Sequence, residues 1–162
     1  MESTFYTIWN YSEEDIMTKE AIIHKLKERG LRITPQRLAI IDVLVEKGHL
    51  HPGAYYIHRE ARKKGNGLSL STAYATIKEF SRYGIIKTLQ FEGVENRCEC
   101  NLDEHINLIC ERCGKIIDYK APLSVDQNDV ANKAGFTITN SRLEYYGYCR
   151  DCCQDKRRSQ VL

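Results

Sequence analysis

Apolar residues recur at helical spacing through the first half of the chain, then give way near residue 85 to short alternating runs. From Thr18 onward Ile22, Ile23 and Leu26 share one face of a helix that stops at Gly30. A basic link, Leu31-Arg32-Ile33, leads to Thr34-Pro35, an N-cap and first-position pair that opens a second helix. Its apolar stripe is Leu38, Ile40, Ile41, Leu44 and Val45, and Gly48 ends it. His51-Pro52-Gly53 turns the chain into a third helix, through about residue 64, which Gly65-Asn66-Gly67 closes. Ser69 or Ser71 caps a fourth, in which Leu70, Ala73, Ile77 and Phe80 face inward and Thr72, Tyr74, Ala75, Lys78 and Arg82 are left outside.

After Gly84 the period changes. The runs IIKTLQF and RCEC, joined by the turn EGVEN, read as a β-hairpin, so that helices and hairpin follow the order of a winged helix. The polar stretch NLDE at 101–104 marks a boundary. Beyond it HINLIC, KIIDY and FTITNSRLEYYGYC predict strands, APLSVDQNDVANKAG predicts a helix ending at Gly135, and the tail QDKRRSQVL has no periodicity. The expected organisation is an extension over 1–17, a winged-helix domain over 18–100, an α/β domain over 101–155 and a tail over 156–162, an α+β chain overall.

A length of 162 residues, 42% of them hydrophobic, allows one ordinary domain or two small ones. The net charge of +2 conceals an asymmetry. Residues 1–17 hold four acids and no base, residues 18–97 hold 15 bases against 8 acids, and residues 98–162 hold 9 against 10. The whole positive excess therefore lies on the helical segment, where phosphate contacts would use it. No apolar run approaches the roughly 20 residues that cross a bilayer, and the acidic, aromatic N-terminus has no leader pattern, so the expectation is a soluble cytoplasmic protein without a membrane partner.

All seven cysteines fall after residue 97, and four form two C-x-x-C units, Cys110/Cys113 and Cys149/Cys152, in equivalent strand-end contexts. Each unit places two sulfurs on a tight turn, and together they suit one tetrahedral Zn²⁺ held at about 2.3 Å. Four sulfurs leave no open coordination position, which favours a structural ion over catalysis. The alternative is a zinc-containing thiol redox protein or enzyme that uses the C-x-x-C thiols themselves. Cys153 is spare.

A second constellation mixes nitrogen and oxygen donors. His51, Glu99, His105 and Asp118 come from both halves of the chain and suit Fe²⁺, Mn²⁺ or Zn²⁺, although for any one of them alone an ordinary surface or satisfied core side chain is the better reading and only joint placement lifts the set. On the outer face of the fourth helix Thr72, Tyr74, Lys78 and Arg82 have the spacing to reach base edges and phosphates, and Arg32 in its link is placed to enter a minor groove.

The stretches GLRITPQRLAIIDVL, His51-Pro52, LSLSTAYATIKEF, HINLICERCGKIIDY and GFTITNSRLEYYGYCRDC, in that order over residues 20–155, resemble the ferric uptake regulator family of metal-responsive bacterial repressors, its peroxide-sensing PerR branch most of all. The resemblance implies a winged-helix DNA-binding domain joined to an α/β dimerisation domain with a C4 zinc site, and a homodimer that regulates transcription from a palindromic double-stranded operator. It assigns Cys110, Cys113, Cys149 and Cys152 to structural Zn²⁺. It assigns His51, Glu99, His105 and Asp118 to an inter-domain regulatory Fe²⁺ or Mn²⁺, or Zn²⁺, and Tyr74 to the recognition helix. Release would follow loss of metal or peroxide oxidation of a ligand. The chain also departs from the pattern. Asn107 stands where a second histidine is usual and is a weaker ligand; Asp118 is PerR-like, Glu99 is not. Ser141 replaces a further histidine, and Cys98 and Cys100 flanking Glu99 lie outside the pattern altogether.

Overall fold

Thr18 begins the first helix because its hydroxyl accepts the N–H of Ala21 at 3.2 Å, satisfying a donor that the helix itself cannot. The computed structural model describes residues 17–65, 67–120 and 126–159, so residues 1–16 of the extension expected over 1–17, Asn66, residues 121–125 of the expected helix and the last three residues lie outside the described residues. These described residues form two units, 17–103 and 104–159.

In the first unit, α1 (Lys19–Glu28) is followed by α2 (Pro35–Lys47), which Thr34 caps through the N–H of Arg37 at 3.2 Å. A 3-10 turn, Gly48–Leu50, leads to α3 (Ala54–Arg62), and α4 (Leu70–Arg82) starts at Ser69, whose hydroxyl accepts from the N–H of Thr72 at 3.1 Å. That contact settles the choice between Ser69 and Ser71. Leu70, expected to face inward, is 37% exposed at the first position of α4, and Thr76 holds a buried place in the stripe with Ala73, Ile77 and Phe80. The apolar stripes meet in a core of Ile22, Leu26, Ile40, Ile41, Leu44, Ile57, Phe80, Ile85 and Ile86, none more than 2% exposed. At about 1.5–3 kcal/mol for each large side chain removed from water, this cluster holds the unit together.

The hairpin is short. β1 (Lys87–Leu89) pairs antiparallel with β2 (Arg97–Glu99), Thr88 opposite Cys98. The segment before α3 lies along the far side of β2, where the N–H of Cys98 donates to the Pro52 carbonyl at 3.0 Å and Gly53 bridges Arg97. The wing is thereby stitched to the start of α3.

In the second unit β3 (Ile106–Cys110) is the central strand, antiparallel to β4 (Ile116–Tyr119) and parallel to β5 (Leu143–Gly147), in the order β4-β3-β5. Helix α5 (Gln127–Ala134) is capped by Asp126 and ends at Gly135, whose φ of 61° is the left-handed turn that glycine takes without strain. The expected strand over 136–149 forms only from Leu143, because the polar TNSR stretch before it finds no ladder partner among the described residues. The described part of the tail read as aperiodic, residues 154–159, is in fact helical: α6 (Arg150–Ser159) is set in train by the second C-x-x-C, where the N–H of Cys153 donates to the Cys149 carbonyl at 2.9 Å. Among the described residues no helix is long and apolar enough to cross a membrane.

Candidate metal centres and nucleic-acid interface

The four C-x-x-C sulfurs converge within the second unit. Cys110 ends β3, and the chain turns back so that the N–H of Gly114 donates to its carbonyl at 2.9 Å, which brings Cys113 round; Gly114, at φ 69°, completes the knuckle. Cys149 and Cys152 flank the first turn of α6. All four sulfurs lie within 4.8 Å of one another, and Cys113 Sγ is 3.7 Å from Cys149 Sγ. A tetrahedral zinc with sulfurs at about 2.3 Å requires sulfur pairs about 3.8 Å apart, so the donors fit the ion in number, type and spacing.

Their protonation fits as well. The N–H of Cys149 donates to Cys110 Sγ at 3.3 Å, and with the backbone at Cys113 it brings that thiol down to about 6. Burial, followed by the neighbouring sulfurs, pushes Cys152 up to about 12. Without a cation the cluster cannot carry four thiolates, and a dication supplies the missing charge. Cys153 points away from the cluster, its thiol toward the Tyr148 carbonyl at 3.6 Å.

The second donor set appears as two groups, one in each unit. His51 Nε2 lies 3.0 Å from Glu99 Oε2, both side chains no more than 2% exposed, and Glu99 Oε1 accepts the N–H of Asn101 at 2.6 Å. His51 is the one non-glycine with positive φ among the described residues, at 47°. Histidine tolerates that left-handed region better than most residues, and there it turns the imidazole from the helix end toward the wing strand. In the other unit Asn107 of β3 stands opposite Asp118 of β4, and His105, two residues earlier, shares their face of the sheet. His105 Nε2 is 4.0 Å from Asp118 Oδ1, all three residues are buried, and the amide oxygen of Asn107 has no hydrogen-bond partner among the described residues. Buried imidazole and carboxylate groups, with an unmatched amide oxygen beside them, form a donor set suited to a divalent ion and costly in a core without one.

Cys98 and Cys100 flank Glu99 on either side. Cys98 is buried, and burial pushes its thiol up to about 12, away from the reactive thiolate.

The outer face of α4 presents Thr72, Tyr74, Lys78 and Arg82 to solvent, as expected. Tyr74 is 47% exposed, and the Arg82 guanidinium rests over the Tyr83 ring at 5.5 Å. Arg32 is exposed, and its carbonyl accepts from Arg37 Nη1 at 2.6 Å, while Arg37 Nη2 pairs with Glu79 of α4. The link that bears Arg32 is thus tied to α4 by two residues, Arg37 and Glu79, that periodicity did not mark. Nor did it mark Glu95, in the EGVEN stretch, whose carboxylate accepts from the Tyr74 hydroxyl at 2.9 Å.

Comparison with known proteins agrees with this geometry. A profile described as "Ferric uptake regulator family" matches residues 28–146. The chain is similar to the "Peroxide-responsive repressor PerR" of Staphylococcus aureus, 36% identical over 138 residues that make up 85% of this chain and 92% of that protein. Among solved structures it is similar to the Helicobacter pylori ferric uptake regulator Fur, described as having three functional metal binding sites, with TM-score 0.70 and 25% identity over 86% of this chain and 96% of that one. It is also similar to a zinc-bound manganese uptake regulator, with TM-score 0.60 and 32% identity over 79% of this chain and 98% of that one.

Proposed function

Because the chain belongs to the ferric uptake regulator family of metal-responsive, DNA-binding transcription regulators, we propose that it is a homodimeric repressor that grips a palindromic operator when divalent metal is bound and lets go under peroxide. Membership places its C-x-x-C cysteines in a regulator rather than in a thiol enzyme. The observation that carries the reading is the buried His51–Glu99 and His105–Asn107–Asp118 groups in a chain that also exposes a basic, tyrosine-bearing recognition helix.

Cys110, Cys113, Cys149 and Cys152 would hold a structural Zn²⁺. His51, Glu99, His105 and Asp118 would hold the regulatory Fe²⁺ or Mn²⁺, or Zn²⁺, with the Asn107 oxygen as a weak further ligand. Fe²⁺ at that site supplies a one-electron reductant for peroxide beside two imidazoles. The buried carboxylates of Glu99 and Asp118 keep the site anionic and selective for a cation, and His51, at the junction of the 3-10 turn and α3, links occupancy to the DNA-binding unit. Metal and DNA then strengthen each other's binding by the same factor. On the DNA, Thr72 and Tyr74 would face base edges, Lys78 and Arg82 the phosphates, and Arg32 the minor groove.

Support for a dimer comes from the second unit alone. Strand β5 is a sheet edge carrying Tyr145 and Tyr146, each 56% exposed, and α5 has no buried residue, with Val130 45% exposed. An open apolar edge of this kind is normally covered, and a second copy pairing there would set two recognition helices on successive major grooves of one palindrome. The site of action would be the cytoplasm, alongside the DNA.

The test is DNA affinity at fixed salt against added Fe²⁺, Mn²⁺ and Zn²⁺, with and without peroxide, followed by peptide mass spectrometry. Peroxide should release the Fe²⁺-loaded protein and add one oxygen atom to His51 or His105, and leave the Mn²⁺-loaded protein bound. Release with both histidines unmodified would exclude the oxidative mechanism, and affinity indifferent to every metal would exclude the regulatory site.

A further inference from the structure

Tyr74 does not project freely from α4. Glu95, between β1 and β2, uses a single carboxylate oxygen, Oε1, to accept both the Tyr74 hydroxyl at 2.9 Å and the N–H of Tyr55 at 2.8 Å. Tyr55 lies in the first turn of α3, whose N-cap, Gly53, has no side chain to satisfy the leading amides, so Glu95 caps that helix from the wing. Gly53 is what admits it: a Cβ there would fall 2.1 Å from Glu95 Oε2. The result is one clamp on the wing, the start of α3 and the recognition tyrosine. The tyrosine ring remains exposed, at the end of a groove of about 770 Å³ that Lys78, Arg82 and Arg97 also line.

A phenol has one proton to donate. With that proton directed at Glu95, the outward lone pairs of the Tyr74 oxygen can only accept. We propose that Glu95 is a specificity-determining positioning residue: it holds Tyr74 as a hydrogen-bond acceptor, so that α4 reads an amino group in the major groove, adenine N6 or cytosine N4, and is barred from donating to phosphate. The inference rests on the DNA-binding reading above. Charge works in the same direction. A carboxylate among Lys78, Arg82 and Arg97 weakens indiscriminate phosphate binding, which widens the gap between operator and bulk DNA.

The experiment selects an operator from random duplexes with the full-length, metal-loaded protein, then measures base preference and salt dependence for Glu95→Gln, Glu95→Ala, Tyr74→Phe and the Tyr74→Phe/Glu95→Ala pair. Because both contacts share one oxygen, glutamine keeps the two acceptor roles while it removes the charge and turns the other oxygen into an NH2. Glu95→Gln should retain the preference and bind all sequences more tightly. Glu95→Ala should lose about tenfold discrimination at one base position per half-site. Tyr74→Phe should lose the same, and the double variant no more. Gly53→Ala, which evicts the carboxylate at an extended backbone position, should show the same loss and serves in place of Glu95→Ala should that variant fail to fold. Full discrimination in Glu95→Ala, or a loss that adds to that of Tyr74→Phe, overturns the proposal. A wild-type protein that selects no operator under any metal fails the regulator reading itself, and this inference with it.

Discussion

Stripping the ion from the cysteine cluster should unfold one unit of this protein and spare the other. Among the described residues the buried apolar set of the second unit is small: Ile106, Ile109 and Ile116, together with the sulfurs of Cys110 and Cys152. Three buried isoleucines contribute about 5–9 kcal/mol at about 1.5–3 kcal/mol each. A structural zinc bound by thiolates contributes about 10–16 kcal/mol of folding free energy, more than all of that apolar burial. The first unit has 17 buried apolar residues in one cluster and no dependence on those sulfurs. The assay is hydrogen exchange read by mass spectrometry on reduced protein dialysed against a strong chelator at pH 7. Peptides from residues 104–153 should exchange at unfolded rates, peptides from 19–89 should keep their protection, and restored Zn²⁺ should restore the first set. Metal-free, reduced protein whose β3 and β4 amides stay protected would refute the reasoning, since the isoleucines would then suffice.

Three further outcomes are expected. Thr34→Ala removes the side-chain cap of α2 and should cost about 1 kcal/mol in a denaturant titration. Cys98, with its thiol near 12 rather than the ordinary 9, should alkylate at pH 8 about a thousandfold more slowly in the native protein than after denaturation, and the rate should climb as pH rises because the thiolate is the reacting form; rapid native labelling would revive a thiol sensor at that position. Asn107→His places an imidazole where the amide oxygen now stands unmatched, and should tighten Mn²⁺ binding in a calorimetric titration while leaving the zinc content at one ion per chain.

Much of the helical unit was legible because its signals are local. Thr18, Thr34 and Ser69 each cap a helix, and the stripes that end in Phe80 and Leu44 belong to a single core. The four-cysteine site was legible for a related reason: thiolate pairs on tight turns have few other uses. What the pattern missed depends on partners distant in sequence. Leu70 looked like a core residue by spacing, but at the first position of α4 the stripe runs past the end of the core. RDCCQDKRRS has almost no apolar face, so nothing in its periodicity announced α6; the helix is nucleated by the cysteine turn. Glu95 read as one polar residue of a loop, and only the fold brings it beside residue 74. The left-handed backbone at His51 has no sequence signal apart from the Pro-Gly that follows it.

Strand β3 has a donor of one kind near each end: His105 just ahead of it and Asn107 at its second position, Cys110 at its close. Five residues at about 3.3 Å each make a rod under 20 Å long, clamped on both sides by β4 and β5. The cysteine cluster and the His105–Asn107–Asp118 group are therefore joined through one strand. Loss of the ion from the sulfurs should then let the rod go slack and pull apart the buried His105, Asn107 and Asp118 at its far end, so that one strand ties the fate of the second group to that of the first.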